Sequence, residues 1–243
     1  FLYTHTKRID YVTEVDWQER QQLLKVKFDV NIRATEAVFD VQHGNVKRPT
    51  HWNTSWDMAK FETVGHQWAD LSQTNYGVAL LNNCKYGYDI KGNQMRLSLL
   101  KGAIYPDPGA DLGLHQFTYS LFPHNGDFVT GKVVEEAWEI NAPLSPLQGS
   151  GDRFPFTLTS EDAVVVDAFK QAEDKDGWIL RCYDHIGADR QFELTYTGEG
   201  QILWQETDMM EIPLEALQSG SLVLHLTPYE VKTIKIKVVD HAN

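Results

Sequence analysis

Residues 24–32 read LKVKFDVNI, and this stretch decides the fold class because apolar and polar side chains alternate along its whole length. The apolar positions are Leu24, Val26, Phe28, Val30 and Ile32. Lysine, aspartate and asparagine occupy the positions between them. A period of two residues is typical of a β-strand with one face in a core and the other in water. The stretch therefore predicts an antiparallel sheet with one solvated face.

The same alternation recurs on both sides of this strand, over residues 9–17, 36–42, 95–99 and 117–121. Residues 76–81, YGVALL, form a continuous apolar run, which is typical of a strand buried on both faces. Turn-forming residues separate these segments. We therefore predict one large antiparallel β-sandwich over residues 1 to about 142, without a long helix.

The chain changes character near residue 141. Residues 141–155 read NAPLSPLQGSGDRFP, and their prolines, glycines and serines predict a surface crossover. Beyond it, turns separate six predicted strands, at 164–169, 178–183, 191–196, 202–205, 222–226 and 233–238. The prediction is an all-β chain with a large β-sandwich at 1–145, a linker at 146–155 and a small C-terminal β-domain at 156–243.

The amino-acid composition limits the kinds of molecule that the chain could bind. The chain has 34 acidic and 22 basic residues and a net charge of -12, which argues against binding to nucleic acid or to an anionic membrane. No apolar run approaches the ~20 residues of a membrane span. Cys84 and Cys182 form no C-x-x-C pair, so both are predicted to be buried free thiols. The chain opens as a strand already in progress, from which we expect a piece of a longer polypeptide.

The densest group of functional side chains is RPTHWNTSWD, residues 48–57. No H-E-x-x-H or Cys/His cluster accompanies it, so no metal site is predicted in this chain. Ser55 lacks the glycines of a nucleophile elbow, and Asn53-Thr-Ser55 is interpreted as a chance glycosylation sequon. Aromatic residues lie near amides and charges here and around residues 68–88. Such mixtures are typical of carbohydrate sites, and equally of aromatic packing in a sandwich.

Longer blocks of sequence carry a family resemblance. They are residues 46–72, 76–102, 106–124, 176–184, 204–214 and 226–236, in that order. These blocks resemble the C-terminal region of the glycoside hydrolase family 38 α-mannosidases, most closely the cytosolic and bacterial branch. The resemblance implies a galactose-mutarotase-like supersandwich followed by a smaller β-sandwich.

The resemblance also implies an activity. Enzymes of this family hydrolyse terminal α-linked mannose with retention, and their nucleophilic aspartate and divalent metal, usually zinc, belong to an N-terminal barrel and helical segments. None of those motifs occurs in this sequence, so we assign it no catalytic residue and expect it to be inactive by itself. The implied partners are its own catalytic barrel and a mannose-containing oligosaccharide. A cytoplasmic location is expected, and a homo-oligomer is possible.

Loops of the large sandwich are expected to approach that barrel. The candidates for a sugar-pocket wall are Arg48, His51, Asn53, Trp56, Asp57, Lys85, Tyr86, Tyr88, Asp111 and His115. We predict that RPTHWNTSWD and the NCKYGYD turn share the barrel-facing edge, either as pocket wall or as a structural interface. Trp56 is expected to brace the sandwich, whereas Asp57 is expected on the pocket side. The segment around PDPGADLGLH, residues 106–115, resembles the stretch in which distant relatives carry a sugar-contacting arginine, and residues 110–115 of this chain contain no arginine.

Three other functions fit the sequence. A stand-alone carbohydrate-binding module would hold a complete sugar site within these residues. A mutarotase-like epimerase would need a histidine acid and a glutamate base on an open sheet. A structural or oligomerisation domain would need neither site.

Overall fold

The computed structural model describes residues 1–145, 155–160 and 164–239, and the chain divides into two units, Phe1–Pro146 and Leu147–Asn243. The predicted linker at 146–155 lies outside the described residues except for Pro155. Each unit is built from two antiparallel sheets.

The strands of the first unit are β1 (Ile9–Trp17), β2 (Leu23–Asp29), β3 (Glu36–Val41), β4 (Gly44–Pro49), β5 (Thr63–Val64), β6 (Trp68–Gln73), β7 (Tyr76–Asn82), β8 (Gly87–Lys91), β9 (Gln94–Lys101) and β10 (Gly113–His124). One sheet has the order β1-β10-β7-β6-β3-β4, and the other has the order β2-β9-β8-β5. The first helix, α1 (Ser55–Ala59), lies in the connection from β4 to β5, and the second, α2 (Val133–Asn141), follows β10.

The core of the first unit lies between the two sheets. Alternation in the LKVKFDVNI stretch is reproduced in part, because β2 ends at Asp29 and Val30 and Ile32 are buried beyond it. Within β2, Val26 and Phe28 pack against the core while Lys27 is exposed. The continuous apolar run forms β7, of which every residue after the first is buried. The predicted all-β class and antiparallel sandwich are confirmed.

Helix α2 was not predicted from the sequence. It packs against β6 and β7 on the outer face of the six-stranded sheet, and Val133, Val134 and Ala137 are its buried residues. Nine residues give only two and a half turns, which is too short for a strong periodic signal. No helix in the described ranges is long and apolar enough to cross a membrane.

The strands of the second unit are β11 (Phe156–Ser160), β12 (Val164–Gln171), β13 (Trp178–Asp184), β14 (Arg190–Tyr196), β15 (Gln201–Thr207), β16 (Gln218–Ser219), β17 (Leu222–Leu226) and β18 (Val231–Val239). They form sheets β11-β14-β17 and β12-β13-β18-β15-β16. All six predicted strands are present, and β11 and β16 are additional. A second core, which includes Cys182, Phe192 and Trp204, forms this small sandwich. Cys182 is thus a buried free thiol as predicted, whereas the predicted burial of Cys84 is wrong, because its side chain is exposed in the turn after β7.

Candidate functional site

The structure places the ten predicted pocket residues at three positions in the first unit. Arg48 lies on β4, and the loop that follows carries His51, Asn53, Trp56 and Asp57. Lys85 and Tyr86 lie in the turn between β7 and β8, and Tyr88 lies on β8 itself. Asp111 and His115 lie before and within the first residues of β10.

The loop at residues 50–62 runs along the edge of the four-stranded sheet. It begins at the turn after β8, where the Gly92 N–H donates to the Thr50 carbonyl at 2.7 Å. The Trp52 ring lies beside the ammonium of Lys91, which is 5.2 Å from the ring centroid. The loop ends in β5, whose Val64 pairs with Gly87 at the opposite end of β8.

A capping box fixes the middle of this loop. The Asp57 N–H donates to Thr54 Oγ1 at 3.2 Å, and the Thr54 N–H donates back to Asp57 Oδ2 at 3.1 Å. Slight burial acts to raise the pKa of the Asp57 carboxyl, but the Thr54 hydrogen bonds and the nearby His51 outweigh it and lower the pKa. His51 Nδ1 is 3.6 Å from Asp57 Oδ2. The Asp57 side chain therefore caps and stabilises the N-terminus of α1.

This loop and β5 together expose five large apolar side chains, which we call the aromatic edge: Trp52, Trp56, Met58, Phe61 and Val64. Trp56 is the most exposed, at 78 %. The predicted bracing role of Trp56 is therefore wrong, because its side chain packs little against the sandwich. A cluster of exposed apolar groups on a hydrogen-bonded loop is typical of an interaction surface.

Arg48 supports this edge from beneath. Its Nη1 donates to the carbonyl of Val64 at 2.7 Å, and its guanidinium lies 4.6 Å from the centroid of the Phe39 ring. Burial lowers the pKa of the Arg48 guanidinium. The side chain thereby connects β4 to β5.

Tyr88 lies in the core, with no exposed surface. The pocket-wall prediction for Tyr88 is therefore wrong. Its neighbours differ, since Tyr86 is 59 % exposed and makes an edge contact with the His66 ring at 5.5 Å. The Lys85 ammonium lies 4.3 Å from the centroid of the Phe117 ring.

Asp111 and His115 stabilise the connection from β9 to β10. Asp111 Oδ2 accepts from the Lys101 N–H at 3.0 Å, and His115 Nε2 donates to the Asp111 carbonyl at 2.8 Å. The Asp111 carboxylate and the His115 ring therefore both form hydrogen bonds within this segment.

His51 and Tyr86, from the first two positions, lie at opposite ends of β8. His51 lies near the Lys91 end of β8, whereas Tyr86 precedes the Gly87 end, and five strand residues span roughly 16 Å. The contact with the NCKYGYD turn is made by the segment after β5, where the Gly65 N–H donates to the Tyr86 carbonyl at 3.0 Å. The described residues contain no group of three or more His, Cys, Asp or Glu arranged to hold a metal ion.

Two segments of the sequence match models of known protein families. Residues 1–109 match the model described as glycosyl hydrolases family 38 C-terminal domain, and residues 163–234 match the family 38 C-terminal beta sandwich domain. The chain belongs to glycosyl hydrolase family 38. Both matches are to C-terminal domains of the family, which confirms the predicted resemblance.

Curated family 38 relatives are much longer than this chain. "Alpha-mannosidase G" of Dictyostelium discoideum is 42 % identical over 201 residues, which are 80 % of this chain and 18 % of the relative. "Alpha-mannosidase 2C1" of Homo sapiens is 37 % identical over 239 residues, which are 93 % and 23 %. "Alpha-mannosidase" of Saccharomyces cerevisiae is 47 % identical over 209 residues, which are 78 % and 19 %. The chain spans about a fifth of the length of these relatives.

A solved alpha-mannosidase structure has the same fold. The crystal structure of an alpha-mannosidase from Enterococcus faecalis V583 matches with a TM-score of 0.78 and 18 % identity over 94 % of this chain and 27 % of that one. This likeness supports the two-sandwich architecture.

Proposed function

We propose that this chain is the non-catalytic β region of an α-mannosidase, and that the aromatic edge contacts the catalytic domain beside the sugar pocket. The enzyme as a whole would hydrolyse terminal α-linked mannose with retention. The family 38 matches support the class of enzyme, and one observation carries the role of the chain. That observation is the aromatic edge, five exposed apolar side chains on a loop held by its own hydrogen bonds.

The exposed apolar surface of the aromatic edge favours docking. Tryptophan, methionine and phenylalanine are enriched at protein interfaces, where their apolar area leaves water. The loop is preorganised by the capping box and by Arg48, so little conformational entropy would be lost on docking. The chain spans about a fifth of its relatives, which makes the rest of such a polypeptide the natural occupant of this edge.

The test uses the complete enzyme with Trp56→Ala and Phe61→Ala, and Tyr105→Ala as the matched control. Tyr105 is also an exposed aromatic residue, at 86 %, but it lies outside the aromatic edge. Docking predicts that kcat/KM for an aryl α-mannoside falls by about 10-fold or more in the edge variants, equivalent to about 1.4 kcal/mol. An unchanged kcat/KM in both edge variants would contradict the proposal.

Catalysis itself is assigned outside this chain. The divalent metal that the resemblance implies has no fitting ligand cluster among the described residues, so we derive no step from it. The inactivity of the chain by itself, zinc in the catalytic domain, the cytoplasmic location, the mannose-containing oligosaccharide and the homo-oligomer all stay predictions.

The epimerase alternative gains no support from the four-stranded sheet of the first unit. On the outer face of the four-stranded sheet, Arg96 Nη2 pairs with Asp89 Oδ2 at 2.6 Å and Lys25 Nζ pairs with Glu62 Oε2 at 3.3 Å. Strands β2, β5, β8 and β9 contain no histidine that could serve as the acid.

A further inference from the structure

A small polar pocket lies at the turn between β7 and β8, separate from the aromatic edge. Its volume is about 180 Å³, and we call it the amide pocket after the amides among the residues that line it: His66, Gln67, Asn82, Asn83, Cys84, Tyr86 and Asn141. Four of these seven side chains are amides, two are rings and one is a thiol. None is a carboxylate or an aliphatic cation.

Asn82 builds the pocket wall and is itself fully hydrogen bonded. Its Nδ2 donates to the His66 carbonyl at 3.0 Å and to the Tyr88 hydroxyl at 2.6 Å, while its Oδ1 accepts from the Cys84 N–H at 2.9 Å. Asn141 Nδ2, at the end of α2, donates to the Asn82 carbonyl at 3.0 Å. The pocket is therefore fixed from the core and from α2 without any ligand.

Several other polar groups of the lining side chains are available to form hydrogen bonds with a ligand. Within the described residues no hydrogen bond is made by the Gln67 side-chain amide, Asn83 Nδ2, Asn141 Oδ1 or the Tyr86 hydroxyl. The Asn83 Oδ1, in contrast, accepts from the Thr118 N–H at 3.1 Å, and Asn141 Nδ2 is also engaged. The free groups comprise both donors and acceptors, and all of them are neutral.

We propose that the amide pocket binds one neutral sugar ring. Neighbouring sugar hydroxyls both donate and accept, as do the free amide and phenol groups, and the Tyr86 ring offers an apolar face to sugar C–H groups. A net charge on the ligand would find no counter-charge among the lining side chains. Pockets for drug-sized ligands measure roughly 300–1,000 Å³, so a pocket of about 180 Å³ suits a single ring.

This inference does not depend on the proposed docking of the aromatic edge. The chain by itself is titrated with methyl α-mannopyranoside, and amide shifts are followed by ¹⁵N NMR. Glycerol serves as a polyol without a ring. The expected result is saturable binding with a Kd in the millimolar range, with shifts confined to residues 66–67, 82–86 and 141.

Two conservative variants locate the site. Gln67→Met keeps the length of the side chain and removes its amide, and Tyr86→Phe removes only the hydroxyl. Each is expected to weaken binding roughly 2- to 10-fold, since one neutral hydrogen bond is worth about 0.5–1.5 kcal/mol. Tyr105→Phe is the matched control and should bind like the parent chain.

Three results of the titration would contradict a sugar site in the amide pocket. Absence of saturable shifts, equal shifts with glycerol, or binding that survives both variants would each overturn the proposal. The titration uses the chain by itself and does not involve hydrolysis by the complete enzyme. Failure of the docking proposal would therefore leave the measured sugar affinity unaffected.

Discussion

The Tyr88 hydroxyl accepts a hydrogen bond from Asn82 Nδ2 at 2.6 Å, although both side chains are buried in the first unit. The hydroxyl also donates to the Leu80 carbonyl at 3.2 Å. Burial raises the pKa of the Tyr88 phenol, and the Asn82 bond opposes this only in part. Because Asn82 also accepts from the Cys84 N–H, this buried pair holds the turn that forms the amide pocket.

Tyr88→Phe should destabilise the chain by about 1–3 kcal/mol, because Asn82 Nδ2 then loses a partner in the core. Chemical denaturation measures the change in the free energy of unfolding. Tyr105→Phe is the control, and its 86 % exposure predicts a change within about 0.5 kcal/mol. Equal effects of the two substitutions would show that the Tyr88 hydroxyl contributes nothing.

Trp56→Ala should leave the stability of the chain nearly unchanged. A buried aromatic side chain would cost about 3–5 kcal/mol on truncation, but at 78 % exposure the change should stay within about 0.5 kcal/mol. The midpoint of urea unfolding measures it. A loss of several kcal/mol would restore the bracing role that the sequence suggested.

Local sequence patterns account for the strands but not for the sites. Alternation in GYDIK, where Tyr88 and Ile90 are buried, already contained the signal that Tyr88 belongs to the core. The Thr54-x-x-Asp57 box was the only local signal for α1, since five residues have no measurable period. Asn82 and Asn141 meet only through the tertiary fold, so no local pattern could predict the amide pocket.

The exposure of Trp56 could not be predicted from the sequence, for a related reason. Tryptophan is usually buried in large part, but a residue on a short loop packs only where a neighbouring element covers it. The family resemblance supplied the class of protein, whereas the positions of side chains required the fold.

Asp40 should make the stability of the chain depend on pH. Burial raises the pKa of its carboxyl to about 7, and a hydrogen bond from the Gln67 N–H opposes this only in part. The folded state then keeps a proton that the unfolded chain releases near its ordinary pKa of 3.8. This contribution is fully present below that value and is lost as the pH rises through about 7.

Asp40→Asn should therefore flatten the decline in melting temperature between about pH 4 and pH 8. Asp29→Asn, which changes an exposed carboxylate on β2, should leave the decline as it is in the parent chain. Parallel curves for the parent chain and Asp40→Asn would contradict the assignment.

His124 lies between two glycines and beside a buried carboxylate. Its Nε2 is 2.8 Å from Asp70 Oδ1, and both side chains are almost completely enclosed. A Cβ atom at Gly131 would lie 2.2 Å from His124 Nδ1, and one at Gly77 would lie 2.2 Å from Cε1. The imidazole thus occupies the space that side chains at these positions would need.

Gly131→Ala should consequently destabilise the chain by about 1–3 kcal/mol, the usual result of overpacking a buried site. Gly109→Ala is the matched control, because the nearest neighbour of its added Cβ is Asp107 Oδ1 at 3.4 Å. A double-mutant cycle identifies the cause. With His124→Ala as background, the imidazole is absent, so most of the penalty for Gly131→Ala should disappear, with a coupling energy of about 1 kcal/mol or more. Equal penalties in the two backgrounds would mean that the alanine strains the backbone of the 125–132 connection rather than the His124 ring.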